Sequence, residues 1–239
     1  MIQILDARYW NGRIPPGYEY IKGYIAKATD GDYFTSPEFV MQYRAAEQLF
    51  GNARSAWSFF KGVSNPLSAA KRYHDAMVAA GGYGGIPPVL DIEDRYALKG
   101  KPTVDKAWVQ LQEMEQLSGR EVMVYSAGWY WDLWCAPFMP LTHPIYTRDL
   151  WEADPGPNTP ITGWPSGGIM TQTILDWRAP GFIDTAGNPG LIDLSDVDEA
   201  VFNSWVGPSA PPPDAVTLTI SKSAADELHR ALHAALHNV

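Results

Sequence analysis

The sequence is poor in cysteine and in positive charge, and it lacks a long hydrophobic run. The single cysteine, Cys135, excludes an internal disulfide bond, so disulfides do not indicate the compartment. The 18 lysines and arginines face 27 acidic residues, and the net charge of −9 argues against nucleic acid or an anionic membrane surface as a partner. Because no stretch of about eighteen apolar residues occurs, the sequence predicts no membrane-spanning segment.

The N-terminus also lacks a basic segment followed by an apolar run. We therefore expect a protein that is made in the cytoplasm without a signal peptide. What the chain does have is length and apolar content: 239 residues, of which 46% are hydrophobic, can bury a sizeable core. Single α/β barrels commonly reach this size.

Short apolar segments alternate with segments of helical periodicity along the first part of the chain. The expected strands are residues 2–6, 20–27, 53–60, 89–93, 121–126, 145–147, 169–173 and 191–197. The expected helices are residues 36–49, 65–78, 103–117 and 128–134. Strands that alternate with helices indicate parallel strands joined by helical crossovers. The sequence therefore predicts an α/β fold, a closed or nearly closed barrel whose last strands lack full helices.

The composition changes at a proline-rich segment that begins at Gly207. We expect a barrel domain over residues 1–207, a stiff linker over 208–215, and a short strand plus an amphipathic helix over 216–239. Leucines four residues apart give that helix one apolar stripe, so residues 223–238 are a candidate segment for docking or for homo-oligomerisation. Beside the stripe lie His229, His233 and His237. A solvated or interfacial face is favoured over a metal site, because no acidic or cysteine ligand lies among them.

Two carboxylates lie one residue apart in the strand that follows Pro87-Pro88. Because side chains alternate along a strand, Asp91 and Glu93 point to one side, and Leu90 and Ile92 to the other. Neighbouring carboxylates repel each other, so one keeps its proton to higher pH. One protonated and one ionised carboxyl can carry out acid–base hydrolysis of a glycosidic bond. The alternative is that this motif only ends a strand and faces water.

Several segments occur in the order found in one enzyme family. They are Leu5-Asp6 with Trp10-Asn11-Gly12, Tyr24 to Gly31, Trp57-Ser58-Phe59, Val89 to Glu93, Val122 to Ser126 with Trp129 and Trp131, Gln172, and Val197-Asp198 before Val201-Phe202-Asn203. Through them, about residues 3–207 resemble the glycoside hydrolase family 25 lysozymes, the Chalaropsis-type muramidases. The resemblance implies an incomplete TIM-like (β/α)5(β)3 barrel, here with a short C-terminal helical tail.

The resemblance also implies a reaction, which is hydrolysis of the β-1,4 bond between N-acetylmuramic acid and N-acetylglucosamine in peptidoglycan. Glu93 would be the general acid. Asp91 would assist it by orienting the substrate's N-acetyl group or by stabilising positive charge at the anomeric carbon. Asp6 and Asp198 would complete an acidic cluster at the strand ends. No metal or other cofactor is expected.

Further residues are candidates for binding the glycan strand. They are Lys27, Trp57, Tyr125, Trp129, Tyr146 and Gln172. Packing in the core is an equal alternative for the aromatic residues, and a structural ion pair is an equal alternative for Lys27. Departures from the family pattern lie in or beside the implied groove. They are Arg8 and Tyr9 for serine and histidine, Ser58 for histidine, Thr171 for tryptophan, and Arg148 near an alanine.

Three functions compete on this evidence. The first is a cell-wall lysozyme, and the expected lack of a signal peptide favours a phage or prophage endolysin that a separate pore protein releases to the wall. The second is a non-catalytic carbohydrate-binding barrel, which the intact Asp91 and Glu93 disfavour. The third is a chitinase-like enzyme, but such enzymes usually need a longer D-x-D-x-E pattern, and position 89 is valine.

Overall fold

The computed structural model describes residues 1–8, 10–97, 99–153, 161–184, 186–190 and 192–207. The expected linker and the expected segment 216–239, with its three histidines, lie outside these residues. The described strands are β1 (Ile2–Ala7), β2 (Ile21–Asp30), β3 (Phe34–Thr35), β4 (Arg54–Phe59), β5 (Val89–Asp91), β6 (Met123–Ala127), β7 (Leu150–Ala153), β8 (Gly168–Trp177) and β9 (Ile192–Val197).

Eight of these strands close into a barrel. The order is β1-β9-β8-β7-β6-β5-β4-β2, and β1 also pairs with β2 in parallel, which completes the circle. Neighbouring strands from β1 round to β8 are parallel, whereas β9 is antiparallel to both β8 and β1. The two-residue strand β3 pairs only with the end of β2. The predicted α/β barrel is thus confirmed.

The described α-helices each follow a strand of the sheet. They are α1 (Phe39–Phe50), α2 (Pro66–Ala79), α3 (Lys101–Ser118), α4 (Gly128–Tyr130), which continues through helical turns to Phe138, and α5 (Glu199–Val206). The described part of the β1–β2 connection has no helix, and its Pro15-Pro16-Gly17 disfavours one. No helix among the described residues is long and apolar enough to cross a membrane.

The helix starts show how local signals act. Asn65 caps α2 by accepting hydrogen bonds from the N–H groups of Leu67 and Ser68, and Pro66 is the first helical residue, as predicted. Helix α1 instead begins at Phe39, later than the expected residue 36. The N–H of Ser36 donates to the carbonyl of Ala28 on β2, so tertiary pairing keeps this residue extended.

One predicted strand was wrong. Residues 145–147 form part of a 3-10 turn, Pro144–Thr147, and the strand lies further on, at Leu150–Ala153. Proline begins the turn because its fixed φ suits a first helical position. The residues directly after Asp149 are the ones that pair with β6.

Alternation along the strands divides the core into two apolar layers. Inside the barrel lie Ile4, Ile25, Val89 and Met123 together with Trp151 and Met170. Between the sheet and its helices lie Leu5, Tyr24, Leu90 and Ile92, which pack with residues such as Tyr73 of α2 and Leu111 of α3. Asp91 therefore shares the inner side with Val89. The predicted division, with Leu90 and Ile92 on the opposite side, is confirmed.

Candidate active site

A groove opens at the end of the barrel where the parallel strands finish, and encloses a cavity of about 350 Å³. This volume is within the range of small-ligand sites. Five buried or half-buried carboxyl groups line it: Asp6, Asp30, Asp91, Glu93 and Asp193. Three cations, Arg8, Lys27 and Lys61, lie around them. The aromatic lining is Trp57, Phe59, Tyr125, Trp129 and Trp151.

Asp91 and Glu93 lie at the end of β5 in a poorly solvated position. Asp91 is only 6% exposed, and the buried Oδ1 of Asp91 and Oε1 of Glu93 have no hydrogen-bond partner among the described residues. Burial, and next the charge of Glu93, raise the pKa of Asp91 well above its ordinary value. Burial raises the pKa of Glu93 to about 7, although Arg95 and Arg8 act in the opposite direction. The pair therefore retains a proton near neutral pH.

A second pair of carboxyl groups, Asp6 and Asp193, is held by an amide. Gln172 Nε2 lies 3.4 Å from Asp6 Oδ2 and 3.4 Å from Asp193 Oδ2. The hydroxyl of Tyr125 donates to Gln172 Oε1 at 2.8 Å, which orients the amide. Trp57 Nε1 donates to Asp6 Oδ1 at 3.1 Å. Burial, and next the charge of Asp193, raise the pKa of Asp6 to about 7.

The prediction that Asp198 belongs to this cluster was wrong. Asp198 is exposed and caps α5, where its carboxylate accepts hydrogen bonds from the N–H groups of Ala200 and Val201. The reason is strand direction: β9 runs antiparallel, so its first residues, not its last, reach the mouth of the barrel. The register pairs Asp6 with Asp193 and Ile2 with Val197.

Asp193 is the acid that the sequence reasoning missed. Its pKa is raised by burial, and its Oδ1 accepts a hydrogen bond of 2.6 Å from the N–H of Asp176. Asp176 also lines the groove and has a φ of +50°, which is uncommon for a residue other than glycine. The sequence signal for Asp193 is an acidic residue near the start of an apolar strand. This signal points to the groove only if the strand is known to be antiparallel, because only then does its start reach the mouth of the barrel.

Most of the predicted glycan-binding residues do line the groove. They are Lys27, Trp57, Tyr125, Trp129 and Gln172. Lys27 Nζ lies 3.3 Å from Asp30 Oδ2 and 5.0 Å from the ring centre of Trp57, so the structural ion pair is present, and contact of this lysine with a glycan stays a prediction. Trp129 is 41% exposed, and the guanidinium of Arg95 covers one face of its ring at 4.4 Å.

Tyr146 lies elsewhere, and its predicted place in the groove was wrong. It belongs to the 3-10 turn before β7, is buried, and packs edge-on against Trp131 and Trp164. Because the turn precedes the strand, its residues do not reach the strand ends where the groove lies. Tyr146 therefore stabilises the core, which was the other alternative for the aromatic residues.

A family model, "Glycosyl hydrolases family 25", matches residues 6–137. The chain belongs to this family. It is therefore a glycoside hydrolase, as the sequence reasoning predicted. The match covers the segments that contain Asp6, Asp91 and Glu93, although it does not by itself assign roles to them. A comparison with curated protein sequences gives no match.

Solved structures agree with the family 25 fold. A family 25 glycosyl hydrolase from Bacillus anthracis is 18% identical with a TM-score of 0.67, and the match covers 86% of this chain and 94% of that one. The bacterial lysozyme from Streptomyces coelicolor is 17% identical with a TM-score of 0.67, over 85% and 96%. The CTP1L endolysin is 22% identical with a TM-score of 0.67, over 85% and 68%.

Asp193 in β9 and Asp198 at the start of α5 provide a matched test of the site of this family 25 enzyme. We expect Asp193→Asn to lower glycoside hydrolysis at least about ten-fold, because it removes a carboxyl group from the groove. Asp198→Asn should retain the parent rate, since asparagine caps a helix as well as aspartate does. Steady-state rates of both variants on one soluble glycan decide the matter. Equal losses of hydrolysis rate in the two variants would indicate that Asp198 contributes to the site after all.

Proposed function

We propose that this family 25 hydrolase is a lysozyme, which cleaves the β-1,4 bond between N-acetylmuramic acid and N-acetylglucosamine in peptidoglycan. Family membership and the similarity to a bacterial lysozyme and an endolysin support the broader activity of a peptidoglycan hydrolase. One observation carries the finer proposal: Glu93 has a pKa raised to about 7 beside the buried Asp91, in an open groove.

In the proposed reaction, the protonated carboxyl of Glu93 donates its proton to the glycosidic oxygen. The bond between that oxygen and the anomeric carbon then breaks, and the sugar ring acquires oxocarbenium character. Asp91 assists, either by orienting the N-acetyl group or by stabilising the positive charge. A water molecule supplies a hydroxyl group to the anomeric carbon, and its second proton returns to the carboxyl cluster. Atoms and charge therefore balance over one turnover.

The other groove residues suit a polysaccharide. Asp6 and Asp193 add negative potential, once ionised, where positive charge develops, and a fixed carboxyl needs no reorganisation during the reaction. The exposed ring of Trp129 offers an apolar face that can stack on a sugar ring, and Trp57 borders the same cavity. We propose Lys27, Tyr125 and Gln172 as further contacts, since they border the same cavity.

The test is release of soluble fragments from purified bacterial cell walls. The parent protein should release muropeptides whose new reducing ends are N-acetylmuramic acid. New reducing ends of N-acetylglucosamine would instead indicate a glucosaminidase or chitinase-like specificity. Binding to walls without any release would favour the non-catalytic carbohydrate-binding barrel.

We further propose that the enzyme acts on the cell wall as a phage or prophage endolysin does, which the similarity to the CTP1L endolysin supports.

The expected absence of nucleic acid and membrane partners stays a prediction. So does homo-oligomerisation through residues 223–238. The molar mass in solution, measured by light scattering on the full chain and on a chain ending at residue 207, would test homo-oligomerisation.

Activity should fall as pH rises above about 7. The proton that Glu93 donates is lost there, because burial raises the pKa of this carboxyl to about 7 from 4.5. We expect kcat/KM to fall about ten-fold for each pH unit well above this value. Rates on a soluble glycan from pH 4 to 10, with circular dichroism at each pH to verify folding, measure this. Full activity at pH 9 would contradict it.

A further inference from the structure

Arg8 is a cation at the mouth of the barrel whose guanidinium has no direct partner among the described residues. It directly follows β1, is exposed, and lines both the central groove and an adjoining cavity beside β3. Among the described residues, its guanidinium forms no hydrogen bond and no ion pair; only its backbone carbonyl accepts one, from Gln42. A guanidinium has five N–H donors in a fixed plane, so Arg8 leaves a complete set of donors facing the groove.

The other cations of the groove are already engaged. Lys27 Nζ lies 3.3 Å from Asp30 Oδ2, and Lys61 Nζ lies 3.8 Å from Asp30 Oδ1. Arg95, which lies beside the groove without lining it, covers the ring of Trp129 at 4.4 Å. A ligand that approached Lys27 or Lys61 would have to compete with the carboxylate between them. Arg8 could accept a ligand without breaking a contact among the described residues.

The carboxyl groups near Arg8 determine which charge on a ligand Arg8 can favour. The groove contains the carboxyl groups of Asp6, Asp91, Glu93 and Asp193, and the positive charge of Arg8 lowers the pKa of each. Arg8 is thus near enough to act on the whole cluster. An acidic substituent on a substrate would be repelled by these groups once they ionise. A guanidinium without a direct partner at the same mouth attracts an acidic substrate and so offsets that repulsion. A neutral substrate gains no such attraction.

We propose that Arg8 binds a carboxylate carried by the glycan strand, and so makes the enzyme selective for acidic over neutral N-acetylated glycans. This inference rests on the proposed function and names the substrate class of the same site. Guanidinium and carboxylate match each other as a planar, two-bonded pair. In peptidoglycan the carboxylate has two sources: the lactyl group of N-acetylmuramic acid where the stem peptide has been removed, and the stem peptide itself.

The test measures binding in a Glu93→Gln background, where turnover does not interfere. The probes are a tetrasaccharide of alternating N-acetylglucosamine and N-acetylmuramic acid with free lactyl carboxylates, the same tetrasaccharide with those carboxylates converted to methylamides, and a form that carries stem peptides. Adding Arg8→Gln should weaken binding of a carboxylate-bearing probe about ten-fold and leave binding of the methylamide nearly unchanged. The free and stem-bearing probes then distinguish the two sources.

Arg13→Gln is the matched control, because it removes the same charge from an exposed residue of the same connection that does not line the groove. It should leave all three dissociation constants unchanged. Unchanged binding of the carboxylate-bearing probes by the Arg8→Gln protein, or an equal loss for the acid and methylamide probes, would overturn the inference. A pH profile shifted alike for both probes would then assign Arg8 to tuning the carboxyl cluster. Failure of the parent to release muropeptides would instead overturn the proposed function, and the binding measurement would still decide the role of Arg8.

Discussion

Replacing Glu93 with glutamine should lower turnover by roughly 10²- to 10⁴-fold, the usual contribution of a general acid, while the protein stays folded. The amide has nearly the same shape as the protonated carboxyl but does not donate a proton to a leaving oxygen. Because the change is made at a largely buried group, binding should survive it, so kcat should fall far more than KM changes. Steady-state kinetics on a soluble glycan measure both quantities.

Two further measurements separate catalysis from folding. Glu113→Gln removes an acid from the outer helix α3, away from the groove, and should retain the parent rate. The thermal unfolding temperature of Glu93→Gln at pH 8 should be no lower than that of the parent. A carboxyl whose pKa is raised by folding stabilises the protein below its unfolded pKa of 4.5, and this contribution is lost as pH rises through about 7. A folded variant with the parent rate would remove Glu93 from the mechanism.

Asp91→Asn should lower turnover by about 10²- to 10³-fold, the range found when one preorganised group beside a developing charge is removed. The buried Oδ1 of Asp91 has no partner among the described residues, so this oxygen is free to act on a substrate. Asparagine fills the same volume and should leave the fold intact. Rates of the variant and the parent on one soluble glycan, at the pH optimum of each, give the factor.

The same variant distinguishes the two ways in which Asp91 could assist. If Asp91 orients the N-acetyl group, the loss should shrink on a substrate that has a hydroxyl in place of that group. If Asp91 stabilises charge at the anomeric carbon, the loss should be the same on both substrates. Parent-like rates of Asp91→Asn on both would exclude either role.

Much of the groove was predictable because it depends on strand alternation and on one rule of parallel barrels. Alternation places Asp91 and Glu93 on the same side of β5, opposite Leu90 and Ile92. In a parallel barrel the ends of all strands meet at one mouth, so charged and aromatic residues near the ends of β1, β2, β4 and β6 converge there. Asp6, Lys27, Trp57 and Tyr125 do line the groove for this reason.

The errors occurred where that rule did not apply. Asp198 ends a strand, but the strand is antiparallel, so its end lies away from the mouth and Asp193 takes the expected place. Tyr146 is part of an aromatic segment that was predicted to be a strand, but it forms a turn that begins at Pro144. Arg8 was noticed only as a departure from a family pattern, and its lack of a direct ion pair among the described residues appeared only when the contacts of the groove cations could be compared.

Local pattern was thus enough to establish the class of fold and the acid pair at its centre, because backbone periodicity and strand ends are properties of short segments. Which further groups join that pair depended on the direction of β9, the register between Asp6 and Asp193, and the contacts of each cation. These follow from how the barrel closes, and closure depends on all the strands packing together, which no single segment contains.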